Sequence, residues 1–188
     1  MAYEKFGSAG LAKAKVWQKF IAQTSPQTDS AKISLVNNFV NRSVRFASDA
    51  DNYSQDDFWA TPLGTLLGGF GDCEDYAITK YVLLKQLNIK DQNLRIQYVL
   101  YTDSSGEKIA HMVLLYYSNP SDDPLVLDNL TNKIELAPFR LDLSPVYSFN
   151  ATGYWTSNKA TPQGNAVNKI SKWRDLLMRM QNEGIQLD

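Results

Sequence analysis

The chain has 188 residues, a formal net charge of -1, 44% hydrophobic and 21% charged residues, which suits one globular domain with a real apolar core and neither a disordered nor a disulfide-dense chain. That charge balance, with no Lys/Arg cluster, excludes a dedicated nucleic-acid binder. A single cysteine excludes an intramolecular disulfide and any multi-cysteine zinc site, and a single histidine narrows metal chemistry further.

In chain order, residues 11–23 carry Val16, Trp17, Phe20 and Ile21 on one helical face, and 30–42 repeat the pattern with Ile33, Val36, Phe39 and Val40. Pro26 separates the two, and Asp29 or Ser30 is a candidate cap for the second. From Ser48 to Asp72 the periodicity is lost, and Gly64, Gly68, Gly69 and Gly71 cluster; this predicts a long irregular loop. Helical spacing returns at Cys73 with Tyr76, Ala77, Lys80, Tyr81, Leu84 and Leu87, so the only cysteine stands at a helix N-terminus.

Residues 93–102 then alternate, DSSG marks a turn at 103–106, and 109–117 is nearly all apolar, which predicts a hairpin whose second strand is buried on both faces. Further strands are expected at 124–128, 133–136 and 146–149, and a last helix at 165–181 through Val167, Ile170, Trp173, Leu177 and Met180. Helices first, sheet second and helix last is an α+β order. No run approaches the ~18 apolar residues of a membrane span, and the opening MAYEKFGSAG lacks the regions of a signal peptide.

Three residues form a possible catalytic set. A thiol needs help to ionise at neutral pH, and the N-terminus of a helix offers Cys73 unpaired N–H groups and a positive dipole end. The only histidine, His111, shares its strand parity with Ile109, Val113, Leu115 and Tyr117, and Asp128 closes the next apolar strand, where a carboxylate would orient the imidazole. The competing reading of the same residues is a buried structural thiol, a satisfied core histidine and an aspartate opening a turn before Asn129.

Asp72, Glu74 and Asp75 crowd the thiol. First-turn acids complement a helix dipole, yet carboxylates beside a nucleophilic thiol raise its pKa. A cation would resolve that conflict: Ca²⁺ takes six to eight oxygen ligands, and these three acids, with oxygens from the loop around Asp49 and Asp51, are a possible source. The alternative is a set of solvated acids, since DADNYSQDD lacks the glycine and ligand spacing of an EF-hand. Trp59 is a candidate second oxyanion donor beside the Cys73 N–H, and Gly68–Gly71 can bring backbone close to a cleft. Trp155 is weighed between a partner surface and the core.

The blocks DDFWATPLGTL, GDCEDYAITKYVLLKQL, AHMVLLYY, LVLDNL and RLDLSPVYSFNATGYW, spanning about Phe46 to Trp155, resemble the bacterial transglutaminase-like cysteine proteases. The resemblance implies a papain-like, transglutaminase-type core of helices packed on an antiparallel sheet. The whole chain, 1–188, is expected to be one protease domain: a helical part about 9–45, a catalytic core about 46–155 and a C-terminal helix about 165–181. It implies Cys73 as nucleophile, His111 as general base, Asp128 as orienting carboxylate, and calcium held by Asp72, Glu74 and Asp75.

By the same resemblance, the substrate is the N-terminal region of a large repeat-containing adhesin, cut at small residues so that it leaves the cell surface and a biofilm disperses. The place is the periplasm, the export signal being removed, with no direct membrane insertion. The inhibitor is the periplasmic domain of an inner-membrane cyclic-di-GMP receptor. Two rival functions use the same observations: a transglutaminase or acyltransferase with the same triad, and a non-catalytic binding module.

Overall fold

The structure, a computed structural model, describes residues 2–156 and 161–187. Helix α1 (Ala2–Thr24) passes through a non-helical residue at Gly7, whose φ of 65° is cheap only for glycine. Helix α2 (Asp29–Ser43) is capped by Thr28, whose hydroxyl accepts from the Ala31 N–H, a contact of about 1 kcal/mol. The two helices meet through the stacked rings of Phe20 and Phe39, centroids 4.0 Å apart.

The stretch expected to be one long loop holds two short helices, α3 (Asp49–Tyr53) and α4 (Pro62–Gly68). Strand β2 (Phe70–Gly71) follows and pairs in parallel with β1 (Arg45–Phe46). These helices are too short for an apolar period, so only their end chemistry marks them. Ser48 and Thr61 cap them, Pro62 opens α4, and Gly69, at φ 83°, closes it.

Helix α5 (Cys73–Gln86) is the centre of the molecule. Its sequence predicts one apolar stripe, whereas Asp75 through Leu84 are all buried. The reason is that its neighbours surround it. Helix α2 and the sheet cover two sides, and Trp173, Leu176 and Met180 of α7 (Ser171–Asn182) join the same core, with Trp173 edge-on to Tyr81. The expected single helix over 165–181 is interrupted at Ile170, whose extended backbone separates α6 (Ala166–Lys169) from α7.

The main sheet is antiparallel throughout, in the order β6-β5-β4-β3-β7-β8. Its strands are β3 (Leu94–Thr102), β4 (Lys108–Tyr116), β5 (Leu125–Leu127), β6 (Glu135–Leu136), β7 (Leu143–Phe149) and β8 (Tyr154–Thr156). Strand β7 begins before the expected 146–149 because Pro145 sits where the register with β3 shifts, between Tyr98 and Val99, a place that tolerates a missing N–H. Met112 and Leu114 of β4 face α5, while Val113 and Leu115 face a smaller cluster with Val99 and Val126. His111 through Leu115 are accordingly buried, and only the first three residues of β4 are exposed. Trp155 belongs to the interior, with the Arg95 guanidinium 4.1 Å from its ring centre. No helix among the described residues is long and apolar enough to cross a membrane.

Candidate active site

The sheet is open at the exposed start of β4, and there a cleft of about 680 Å³ is lined by Cys73, His111, Trp59, Asp72 and Glu74. Cys73 is the first residue of α5, so its backbone N–H is one of the unpaired donors of that helix end. The Met112 N–H points at the sulfur from β4. Tyr98, Tyr147 and Tyr154, stacked across β3, β7 and β8 at 5.2 and 5.6 Å, form an aromatic wall of the same cleft.

His111 lies opposite Val99 in the hairpin, and Asp128 lies just past the end of β5 on the neighbouring strand. The imidazole Nε2 is 2.9 Å from Asp128 Oδ1. That pairing commits Nε2 to the carboxylate and leaves Nδ1 as the ring nitrogen not engaged by it. Asp128 is fully buried and also accepts from the Leu130 N–H at 3.1 Å and from Arg140 at 2.8 Å. Burial works against its charge, but His111, the Leu130 N–H and Arg140 outweigh that and hold the carboxyl well below the usual range. At neutral pH it is an anion.

The acids next to the thiol are arranged differently. Asp72 stands at the N-cap of α5, yet its side chain makes no capping bond, and its Oδ1 is buried without a partner. It meets Glu74 and Asp49, one oxygen of each lying within 4.8 Å of the others. Asp49 Oδ2 accepts from the Phe58 N–H, and its Oδ1 is likewise buried and unpaired. Unpaired buried carboxylate oxygens converging from α3 and α5 are costly on their own and match the hard oxygen donors that a divalent cation takes.

Asp75 lies outside that group of three. Its Oδ1 accepts from the Ala60 N–H at 2.7 Å, so it ties the Trp59 segment to α5, while its Oδ2 is unpaired. The approach depends on Gly71, where a Cβ would sit 2.7 Å from Asp75 Cβ. Asp51, the other acid of the α3 loop, instead accepts from the Ser48 hydroxyl at 2.6 Å.

The electrostatic consequences are severe. Burial first, then the charges of Glu74, Asp75 and Asp49, push Asp72 up to about 9. Burial, with Glu74 and Asp49, pushes Asp75 up to about 8 against the Ala60 N–H. The Cys73 thiol donates to Glu74 Oε2 at 3.0 Å. Burial, the Glu74 charge and that hydrogen bond, and then Asp72, push the thiol far above its ordinary range, with the Met112 N–H the opposing influence. Without a neutralising charge the proton stays on sulfur.

The sequence profile of the bacterial transglutaminase-like cysteine proteinases matches residues 2–139. The chain belongs to that family. It is a cysteine protease with a transglutaminase-like fold, and three solved structures of LapG from Legionella pneumophila show the extent of the likeness. The EGTA-treated form is 33% identical, covering 96% of this chain and 98% of that one with a TM-score of 0.82. The calcium-bound form is 35% identical over 90% of each chain, with a TM-score of 0.78, and a third form is 33% identical over 96% and 98%, with a TM-score of 0.79. No curated protein matches the chain significantly.

Two groups at the site of this proteinase escape sequence reasoning. Arg140 lies in an apolar-flanked turn whose contact with Asp128 spans a strand and two turns, and no local pattern announces it. Lys80, expected only as part of a helical stripe, is fully buried with Nζ unpaired and feels the charge of Asp128. The one usable signal for Asp49 was the aspartate-rich run that begins there.

Proposed function

We propose that the chain is a calcium-dependent cysteine endopeptidase that cuts the N-terminal region of a large repeat-containing adhesin. The observation that carries the chemistry is the 2.9 Å His111–Asp128 pair, whose histidine lines one cleft with a thiol at a helix start. The calcium-bound state of a structure 35% identical over 90% of the chain supports the metal, and three converging carboxylates, those of Asp49 and Asp72 with buried unpaired oxygens, fit it.

In the first half-reaction His111 Nδ1 takes the thiol proton and the Cys73 sulfur attacks the scissile carbonyl carbon. The Cys73 N–H donates to the oxygen as it becomes anionic, and Asp128 stabilises the imidazolium. Breaking the C–N bond passes the proton from Nδ1 to the leaving amine and leaves a thioester on Cys73. His111 then takes a proton from water, whose oxygen attacks the thioester carbonyl, and the proton returns to sulfur as the acid is released. Asp72, Glu74 and Asp49 would hold calcium, with Asp75, in the same first turn of α5, tying that turn to the Ala60 N–H. Bound there, it supplies positive charge that favours the thiolate.

The remainder of the reading rests on likeness to LapG. The protease works in the periplasm, frees the adhesin and promotes biofilm dispersal, and is restrained by the periplasmic domain of a LapD-like cyclic-di-GMP receptor. The deciding experiment is mass spectrometry of an adhesin N-terminal fragment after incubation with the protein in calcium or in EGTA. Two fragments whose summed mass exceeds the parent by one water, in calcium alone and not with Cys73→Ala, are expected. An amine-coupled product would instead establish acyl transfer, and an intact fragment under every condition would reject the substrate.

A further inference from the structure

We propose that Arg140 is a positioning residue of the triad, an anchor that fixes Asp128 so that its Oδ1 stays on His111. The role rests on the reading of His111 and Asp128 as a catalytic pair.

A carboxylate that must orient an imidazole has to be held itself. Asp128 is 0% exposed and sits where strand β5 has already ended; its carbonyl accepts from the Asn41 side-chain amide at 2.9 Å, which holds the backbone and leaves the carboxylate to be fixed separately. Oδ1 takes the Leu130 N–H and the imidazole, and Oδ2 is met by the Arg140 guanidinium at 2.8 Å. Rotation of the carboxylate about its Cβ–Cγ bond would break both sides together.

Arg140 is in turn unusually constrained for an arginine. It is only 8% exposed between Phe139 and Leu141, which are 70% and 90% exposed, so the chain turns its charged residue inward and leaves its apolar neighbours in solvent. Its backbone N–H donates to Ala137 O, and its carbonyl accepts from the Leu143 N–H. Asp142 takes two bonds from the guanidinium, Nε at 2.9 Å and one terminal nitrogen at 2.7 Å, and that same nitrogen reaches Asp128. The series Asp142–Arg140–Asp128–His111 is thus hydrogen-bonded without a break from surface to imidazole. A lysine could supply the charge but not the fork that grips Asp142 while bonding Asp128.

The single histidine makes a direct test available. Nitrogen-15 labelled protein gives one imidazole Nε2–H signal, and its exchange with water reports how firmly Asp128 holds that proton. The variants are Arg140→Met, Arg140→Lys and Asp142→Asn, each compared with the parent in EGTA, with backbone amide exchange in β3 and β4 as the internal reference. Faster Nε2–H exchange by at least tenfold for Arg140→Met, and by a smaller factor for Arg140→Lys and Asp142→Asn, with β3 and β4 amides unchanged, is the expected result. The kcat of each variant should fall in the same order with KM within about twofold.

Parent-like Nε2–H exchange in all folded variants would overturn the proposal. So would amide protection lost in step with the Nε2–H, since that describes a structural residue. Should Arg140→Met fail to fold, the two milder variants decide. The exchange measurement needs no substrate, so a failure of the proposed peptidase activity leaves it intact and is seen separately.

Discussion

Replacing Lys80 with methionine should stabilise the protein, and by an amount that depends on pH. Lys80 is fully buried on α5, seven residues on from Cys73, and its Nζ has no hydrogen-bond partner. Burial pushes it down from 10.5 to about 7, with Asp128 the opposing influence. A lysine whose folded value is depressed binds its proton more readily in the unfolded chain, so between about 7 and 10.5 the unfolded state carries the extra proton and stability rises with pH. The cost of keeping Lys80 is fully present below about 7 and is lost as pH approaches 10.5.

At ~1.4 kcal/mol per pH unit, that cost at pH 7 is on the order of 4 kcal/mol. Methionine matches the length of the lysine stem and carries no charge, so Lys80→Met should recover much of it. At about 2–4 °C per kcal/mol for a chain of this size, Tm should rise by roughly 10 °C at pH 7. Thermal and urea unfolding of parent and variant in EGTA at about pH 7, 8.5 and 10 makes the measurement, and because the acids near Cys73 titrate alike in both proteins, the difference isolates Lys80. A gain that does not shrink with pH would show that the buried charge is not its cause, and a variant less stable than its parent at pH 7 would show that the ammonium is charged in the fold and serves Asp128.

Saturating calcium should raise Tm: at a hundred times Kd a ligand of the folded state adds ~2.7 kcal/mol. Asp49→Asn should lose most of that shift without lowering Tm in EGTA, and a full calcium shift in the variant would remove Asp49 from the ligand set. Glu74→Gln in EGTA should speed iodoacetamide alkylation of Cys73 severalfold, because the side chain that accepts the thiol proton and opposes its charge is made neutral; an unchanged rate would refute that cause. Gly71→Ala should cost about 1–3 kcal/mol, because the new methyl would lie 2.7 Å from Asp75 Cβ; a Tm equal to the parent's would mean that Asp75 yields freely.

What could be seen in the sequence follows from where each signal lies. The hairpin β3–β4, the helix start at Cys73 and the strand ending before Asp128 are local and periodic, so their residues could be paired without coordinates. Helices α3 and α4 are invisible to periodicity, because five and seven residues cannot complete a pattern and only Ser48, Thr61 and Pro62 mark them. The acids Asp72 and Glu74 were apparent from adjacency to the thiol, whereas their meeting with Asp49 depends on the β1–β2 pairing and the turn of α3, which bring together residues 23 and 25 positions apart. Arg140 required the return of the chain past β6 to reach Asp128 and had no local pattern.

The proposed triad and the acids belong to one electrostatic problem. His111 and Asp128 are arranged to receive a proton: the carboxylate is an anion, the imidazole is fixed, and Nδ1 is available. The thiol is arranged to keep it, because Glu74 accepts from the sulfur and two further carboxylates stand behind it. Geometry and charge therefore disagree at Cys73. Losing Glu74 as an acceptor and cancelling the charge of the acids would reverse that balance without moving the backbone of α5. This explains why a nucleophile would be built into the acid-rich N-terminus of its own helix: the same carboxylates that suppress the thiolate when alone become the means of switching it on when their charge is met.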